Sequence, residues 1–387
     1  MNNELSVGSF ERKLVVPVHT RFNQMVGVFE DLAAYYDALD QRSAKFTTQF
    51  HGGRYTPEQL ITLLGRMDVL DLQRHMNGNT RPLPGLSLDL SQKRRIGSHE
   101  PDSTKPTEIN PETGDYYANV HLGEAVCIGD SSGVAYDHHW RGNFEGTLDL
   151  KLDESVVVDD GVTIQTYGNS SGAICGIVTG ITRKDGKWFA NNGISSPARL
   201  NERRPDEPQF SDRDFEFLNA IPAALRRHIS GFDISFAADP AKIRQAQTTL
   251  SEHGWPDALL RLKIETAGGI NNLAELATIP NTRIVFACGD LAAAMEEQKC
   301  DLRETVENGL DVLANNGINE VEIAYDFGNK PDQEGRYDWF KSLQNKHPGM
   351  TIGMWHTSAA IKCKTGVEIC KKVISIAQMA VKESPTT

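Results

Sequence analysis

Apolar residues recur at every second position through Leu260-Arg261-Leu262-Lys263-Ile264-Glu265. An extended strand sends alternate side chains to opposite faces. Leu260, Leu262 and Ile264 therefore share one face, and Arg261, Lys263 and Glu265 share the other. A helical pattern beginning at Asn272 follows, then a second, mostly apolar run from Arg283 to Asp290. Strand, helix and strand in succession imply a parallel sheet covered by helices. Charges on a covered sheet face are costly unless they are paired or hold an ion.

The same rhythm extends along the chain. Leu14–Val18, Ala44–Phe50, Gly85–Leu90, Gly231–Phe236, Glu320–Tyr325 and Met350–Trp355 read as further strands. Asn23 to Leu39 carries Met25, Phe29, Leu32, Tyr36 and Leu39 at helical spacing, and Val367 to Val381 carries a comparable apolar face. Thr56-Pro57-Glu58 has the residues that open a helix. Eight strands, each followed by a plausible helix, predict an α/β fold, a (β/α)8 TIM barrel. The rhythm breaks after the third strand. Ser91 to Asp115 is polar and proline-bearing, and Tyr116 to Thr182 has short β-like runs divided by glycine and aspartate turns. Ser155 to Gln165 reads as a hairpin about Asp160-Gly161. This predicts an inserted all-β lid at 91–197, with the barrel formed from 1–90 and 198–387.

Charge narrows the partners. A net charge of −12 over 387 residues argues against nucleic acid and anionic membranes. The N-terminus is polar and no run approaches membrane-spanning length, so a cytoplasmic protein is expected. The six cysteines form no Cys-x-x-Cys pair, which argues against a zinc site or a disulfide framework. An acidic protein that handles an anionic small molecule must gather positive charge locally, and a bound cation would do so.

Glu265 and Asp290 both fall at the carboxyl ends of predicted strands, where barrel enzymes place their chemistry. Two carboxylates there suit one hard divalent cation, Mg2+ or Mn2+, with Lys263 beside it. The alternative reading of the same residues is a buried salt-bridge network with Arg261 and Lys263. His51, ending the second strand, is either a ligand contact or a strand cap. Tyr325 and Asp326 stand at the end of strand seven, and His356 and Thr357 just past strand eight. His138 and His139 look like a metal pair, but neighbours on a strand face opposite ways.

At these residues the chain resembles the pyruvate kinase family. Lys263-Ile264-Glu265 and Gly289-Asp290-Leu291 match its lysine and metal-ligand motifs in type, order and spacing. Val158-Asp159-Asp160-Gly161 looks like a turn of that family's inserted domain, Asp233-Ile234-Ser235-Phe236 like its fourth strand, and His51-Gly52 like the end of its second. The resemblance implies Glu265 and Asp290 as metal ligands and Lys263 as catalytic. It implies substrate contacts at Ser235, Gly289 and Asp89, and Arg261, His51, His356 and Thr357 are candidates beside them. Tyr325 and Asp326 become replacement acid/base groups.

The departures fall on one half of the family's chemistry. Phe46, Thr48 and Phe50 stand where the family has an arginine, an asparagine and a serine, the last two holding potassium; Asn192 replaces a lysine and Cys288 an arginine. Each lost cationic contact to phosphate is worth roughly 1.5–3 kcal/mol. K+ is therefore not expected. The leading expectation is metal-dependent chemistry on the enolate of a pyruvate-type 2-oxo acid: enolisation, decarboxylation, or aldol or lyase chemistry. The alternatives are phosphoryl transfer on phosphoenolpyruvate or a related substrate, and a non-catalytic metabolite sensor. An assembly of identical chains is expected, since barrels of this kind pair through their helices.

Overall fold

Alternation of apolar and polar side chains builds the larger part of the molecule, as a computed structural model shows. The structure describes residues 12–18, 44–51, 57–79, 83, 85–90, 95–96, 102–103, 108–109, 116–129, 136–140, 153–158, 162–167, 173–181, 193–196, 198–199, 209–210, 212–325 and 333–355. The chain divides into two compact units: Met1–Gln92 with Pro208–Thr387, and Lys93–Glu207.

The first unit carries strands β1 (Arg12–Val18), β2 (Ala44–His51), β3 (Leu86–Asp89), β4 (Ile229–Ile234), β5 (Leu260–Ile264), β6 (Thr282–Ala287), β7 (Glu320–Ala324) and β8 (Thr351–Trp355). All their pairings are parallel, in the order β1-β8-β7-β6-β5-β4-β3-β2, and β1 also pairs with β2. For β1 and β2 the described structure is the backbone. Leu86, Leu88, Phe232, Ile234, Leu260, Leu262, Ile264, Ile284, Phe286, Val321 and Ile323 belong to one buried apolar core. Of their intervening neighbours, Ser87, Asp89, Asp233, Arg261, Lys263 and Glu322 are polar, while Val285 and Ala324 pack as a small apolar cluster of their own.

Among the described residues the unit also carries the α-helices α1 (Pro57–Met76), α2 (Asp212–Ala220), α3 (Pro240–Glu252), α4 (Ala267–Asn271), α5 (Leu273–Ala277), α6 (Cys288–Glu297), α7 (Leu302–Asn315) and α8 (Gln333–Lys346). Local chemistry fixes their starts. The Asp239 carboxylate accepts a bond from Ala241 N with Pro240 in the first turn of α3, and the Asp301 carboxylate accepts from Glu304 N at 2.9 Å before α7. Ile243, Ala246 and Leu250 of α3, and Val306, Leu310 and Leu313 of α7, face the core at helical spacing.

The regular (β/α)8 barrel predicted from the sequence is corrected here. The described helices are not one per strand: α4 and α5 both follow β5, and α6 and α7 both follow β6. β1 meets β8 through two residue pairs only, Leu14↔Met354 and Val15↔Trp355. The fold is mixed α/β, an all-parallel sheet in one unit and a mixed sheet in the other. The predicted strand to Asp290 is also shorter. It ends at Ala287, and Cys288, buried in the same core as Ile284 and Phe286, opens α6.

In the second unit, six strands form one mixed sheet. Ser155–Val158 and Val162–Thr166 pair antiparallel, as the predicted hairpin requires; its turn, Asp159 to Gly161, lies outside the described residues. Val126, Ile128, Val156, Val158, Ile164, Ile174 and Val178 form this unit's own core. Within the stretch read as linker, the short strands Asp102–Ser103 and Glu108–Ile109 also pair. The predicted helices at Asn23–Leu39 and Val367–Val381 lie outside the described residues.

Candidate functional site

Three neighbouring strands supply the polar face. Ser87 and Asp89 come from β3, Asp233 from β4 with Ser235 just beyond it, and Arg261 and Lys263 from β5, with Glu265 past its end. Register sets Asp233 level with both Asp89 and Arg261. The groups sort into two tiers along the strands.

The tier nearer the amino ends is sealed. Arg261 and Asp233 are 1% and 0% exposed. The Arg261 guanidinium donates to the Ser87 hydroxyl and lies 3.4 Å from Asp233 Oδ1, while Ser87 donates to that same oxygen at 2.6 Å. On its other side Arg261 Nε stands 3.8 Å from Glu322 Oε2. Arg283 then donates to Glu322 at 3.2 Å and to Glu320 at 2.5 Å. Burial raises the Asp233 pKa above the ordinary carboxylate range. Arg261 opposes the rise and Asp89 adds to it.

The upper tier centres on Lys263. Its ammonium donates to Asp89 Oδ2 at 3.1 Å and lies 3.7 Å from Glu265 Oε1. Glu265 is buried, and its second oxygen accepts from Phe236 N at 2.6 Å. Phe236 holds a left-handed backbone, φ +53°, which aims that N–H at the carboxylate. Strain of this kind persists where the surroundings over-determine it. Burial alone would lower the Lys263 pKa, but attraction from Asp89, then Glu265 and Asp233, outweighs it and raises the value well above the ordinary lysine range. Lys263 is therefore held in its charged form: it can neutralise an anion, but it is no base near neutral pH.

The remaining expected site residues are placed as follows. Ser235 is buried, and its carbonyl accepts from Gln209 Nε2 at 3.1 Å. Gly289 is exposed and Asp290 half-buried in the first turn of α6 at the carboxyl end of β6; a methyl group on Gly289 would meet nothing within 4 Å. His51 is level with Asp89 in the β2–β3 register. Arg261 has its described contacts with protein groups of the sealed tier. Tyr325 packs on the helix side, its ring edge-to-face with Trp339 at 5.8 Å and under the Arg336 guanidinium at 4.3 Å, so the structure does not gather it with Lys263. Asp326, His356 and Thr357 lie outside the described residues. In the second unit His138 bonds Glu124 and His139 bonds the Gly129 carbonyl, so the adjacent pair does diverge.

Sequence reasoning missed Ser87, Asp233, Glu322, Arg283 and the Phe236 N–H. The signal was present for two of them, Ser87 and Glu322: Leu86-Ser87-Leu88-Asp89 and Glu320-Val321-Glu322-Ile323 alternate as β5 does. Among the described residues no group of three or more His, Cys, Asp or Glu side chains is arranged to hold a metal ion, and no helix is long and apolar enough to cross a membrane. No protein-family model matches the chain, and no curated protein matches it.

Proposed function

We propose that this protein is an enzyme acting on a pyruvate-type 2-oxo acid through its enolate, with Lys263 as the cation that receives the developing negative charge. The observation that carries the reading is the Lys263 ammonium held between two buried carboxylates, at 3.1 Å from Asp89 and 3.7 Å from Glu265, where the parallel strands end. Parallel α/β sheets bind ligands beyond their carboxyl ends. Lys263 retains 12% exposure, so this tier reaches solvent where the Arg261 tier does not. Transfer of a proton from the carbon next to a keto group to solvent water or hydroxide places charge on the keto oxygen. A fixed ammonium beside that oxygen lowers the barrier, since it needs no reorganisation as the charge appears. The high Lys263 pKa suits a group that stays charged throughout.

The pyruvate kinase resemblance implies a divalent cation at Glu265 and Asp290. Carboxylate oxygens are the donors magnesium and manganese prefer. Magnesium takes one or two protein carboxylates and completes its shell from water and substrate, so a pair suffices. Asp89, Lys263 and Glu265 together carry a net negative charge, which a cation offsets. When bound, such an ion supplies Lewis-acid polarisation of the keto and carboxylate oxygens. The chain's own part is to hold the cationic Lys263 in place, through Asp89 on one side and the Phe236-braced Glu265 on the other.

The deciding experiment is exchange of pyruvate methyl protons in D2O, followed by NMR with Mg2+ or Mn2+ supplied. Exchange that needs the ion and is lost in Lys263→Ala supports the reading. Exchange of equal rate in wild type and Lys263→Ala removes it.

A further inference from the structure

We propose that Cys127 and Cys175 form a redox-sensitive disulfide across the sheet of the second unit. The two thiols are 48 positions apart in sequence, yet strands Ala125–Gly129 and Ala173–Ile181 pair antiparallel with Cys127 directly opposite Cys175. Opposed residues send their side chains to the same face. Here that face is the one away from the unit's core. Val126, Ile128 and Ile174 point into that core, while Cys127 and Cys175 pack together with Ala173 and Tyr136 on the other side.

The backbone identifies the kind of pair. The Cys175 carbonyl accepts from Tyr167 N at 2.9 Å, on the side facing away from Cys127. Val178 N donates to the Glu124 carbonyl across the same two strands, three residues further along, which gives the alternation the same phase. Cys127 and Cys175 thus occupy a non-hydrogen-bonded site, where Cα atoms approach to about 4.5 Å. Disulfides span Cα separations of about 4.4–6.8 Å, so the pair can close without moving the strands apart. Neither cysteine is in a disulfide in this structure.

Cys127 is fully buried and Cys175 is 6% exposed, so the first contact with an oxidant falls to Cys175. Tyr136 and His139 are the described rings on that face, 5.9 Å apart, and each is only partly buried. The oxidant class is a low-molecular-weight disulfide. One protein thiolate attacks a sulfur of the reagent and releases the first small thiol. The second protein thiolate then attacks the mixed disulfide and releases the second. Two S–H bonds of the protein and one reagent S–S bond become one protein S–S bond and two reagent S–H bonds, and the protein is oxidised by two electrons. The closed bond ties two central strands of the sheet across a long loop, the case in which a cross-link constrains the unfolded chain most.

The test uses the full chain, equilibrated at neutral pH with reduced and oxidised glutathione at rising oxidised fraction. The samples are quenched in acid, alkylated, digested without reduction and mapped by mass spectrometry. The expected product joins the Cys127 and Cys175 peptides, lighter than the two thiol peptides by two hydrogens, and is absent from Cys127→Ala and Cys175→Ala. Limited proteolysis should show the oxidised Lys93–Glu207 unit cut more slowly by on the order of tenfold. The proposal is overturned if both cysteines are recovered as thiols when the exposed Cys300 is fully glutathionylated. It is equally overturned if either one ends as a stable glutathione adduct or bridges another cysteine. An unchanged proteolysis rate in the bridged form would reject the stiffening. Mapping of the wild-type chain decides the bond itself whether or not the variants fold.

Discussion

Arg261 and Lys263 stand two residues apart on β5 and point to the same face of the same sheet, yet their surroundings differ in kind. Arg261 is 1% exposed and bound on both sides, by Ser87 and Asp233 and by Glu322. Lys263 sits one tier further along, 12% exposed, between Asp89 and Glu265. A planar guanidinium suits a site that must satisfy several acceptors away from water, whereas an ammonium is a compact point charge. The two tiers therefore differ: the lower one links side chains from β3 through β7 away from water, and the upper one leaves its charge partly exposed. Identical alternation in sequence yields structure at one position and candidate chemistry two residues later.

The comparison can be broken in several ways. The largest effect is expected at Arg261→Met, which leaves Asp233 and Glu322 buried with one cation fewer; urea unfolding should show a loss of about 3–5 kcal/mol. Arg261→Met combined with Asp233→Asn should recover part of it, since the two sites share one network. A loss below about 1 kcal/mol in the single variant would mean the lower tier does not hold the sheet.

Lys263→Ala should lower metal-dependent pyruvate exchange by roughly 10²–10³-fold, the range for removing one fixed group that stabilises developing negative charge. The matching loss of stability should be smaller than for Arg261→Met, about 1–3 kcal/mol, because water can reach Asp89 and Glu265 once the lysine is gone. Equal destabilisation of the two variants would erase the distinction between the tiers.

A pH test sharpens it further. The Lys263 pKa is raised, so its contribution to stability is complete below the ordinary lysine value and is lost only as pH rises through the higher folded value. Between pH 6 and about 9.5 neither stability nor exchange should show a limb from this group, and its NMR signal should not titrate there. Titration of Lys263 below pH 9 would contradict the geometry of the carboxylate pair.

The smallest effect concerns Cys288. Burial pushes its thiol up to about 12, so it is neutral and shielded near neutral pH. Native-state alkylation followed by peptide mapping should label the exposed Cys300 and leave Cys288 unmodified until the chain unfolds.

The strands of the parallel sheet were legible because their alternation is strict, and β5 was the clearest of them. The helices were less so: the pattern read from Asn272 is α5, but the short α4 before it, Ala267-Gly-Gly-Ile-Asn271, was not read as helix because its two glycines leave no apolar stripe. Lys263, Glu265 and Asp89 were all named from sequence, and the structure brings the three together. Tyr325 was named as well, but side-chain direction sends it to the helix side with Val321 and Ile323. A residue at the active end of a strand is not thereby on the active face, and a one-residue step decides which face it takes.

By itself the sequence determined which residues alternate, and hence which share a face of each strand, because that follows from backbone geometry within a few residues. It also determined that charge had to be resolved on one sheet face, since Arg261, Lys263 and Glu265 leave no apolar option there. Only the tertiary structure decided which carboxylate answers which cation, that the Phe236 N–H braces Glu265, and that Cys127 faces Cys175. Those are contacts between strands far apart in the chain, and their partners are fixed by register, a property of the assembled sheet rather than of any one strand.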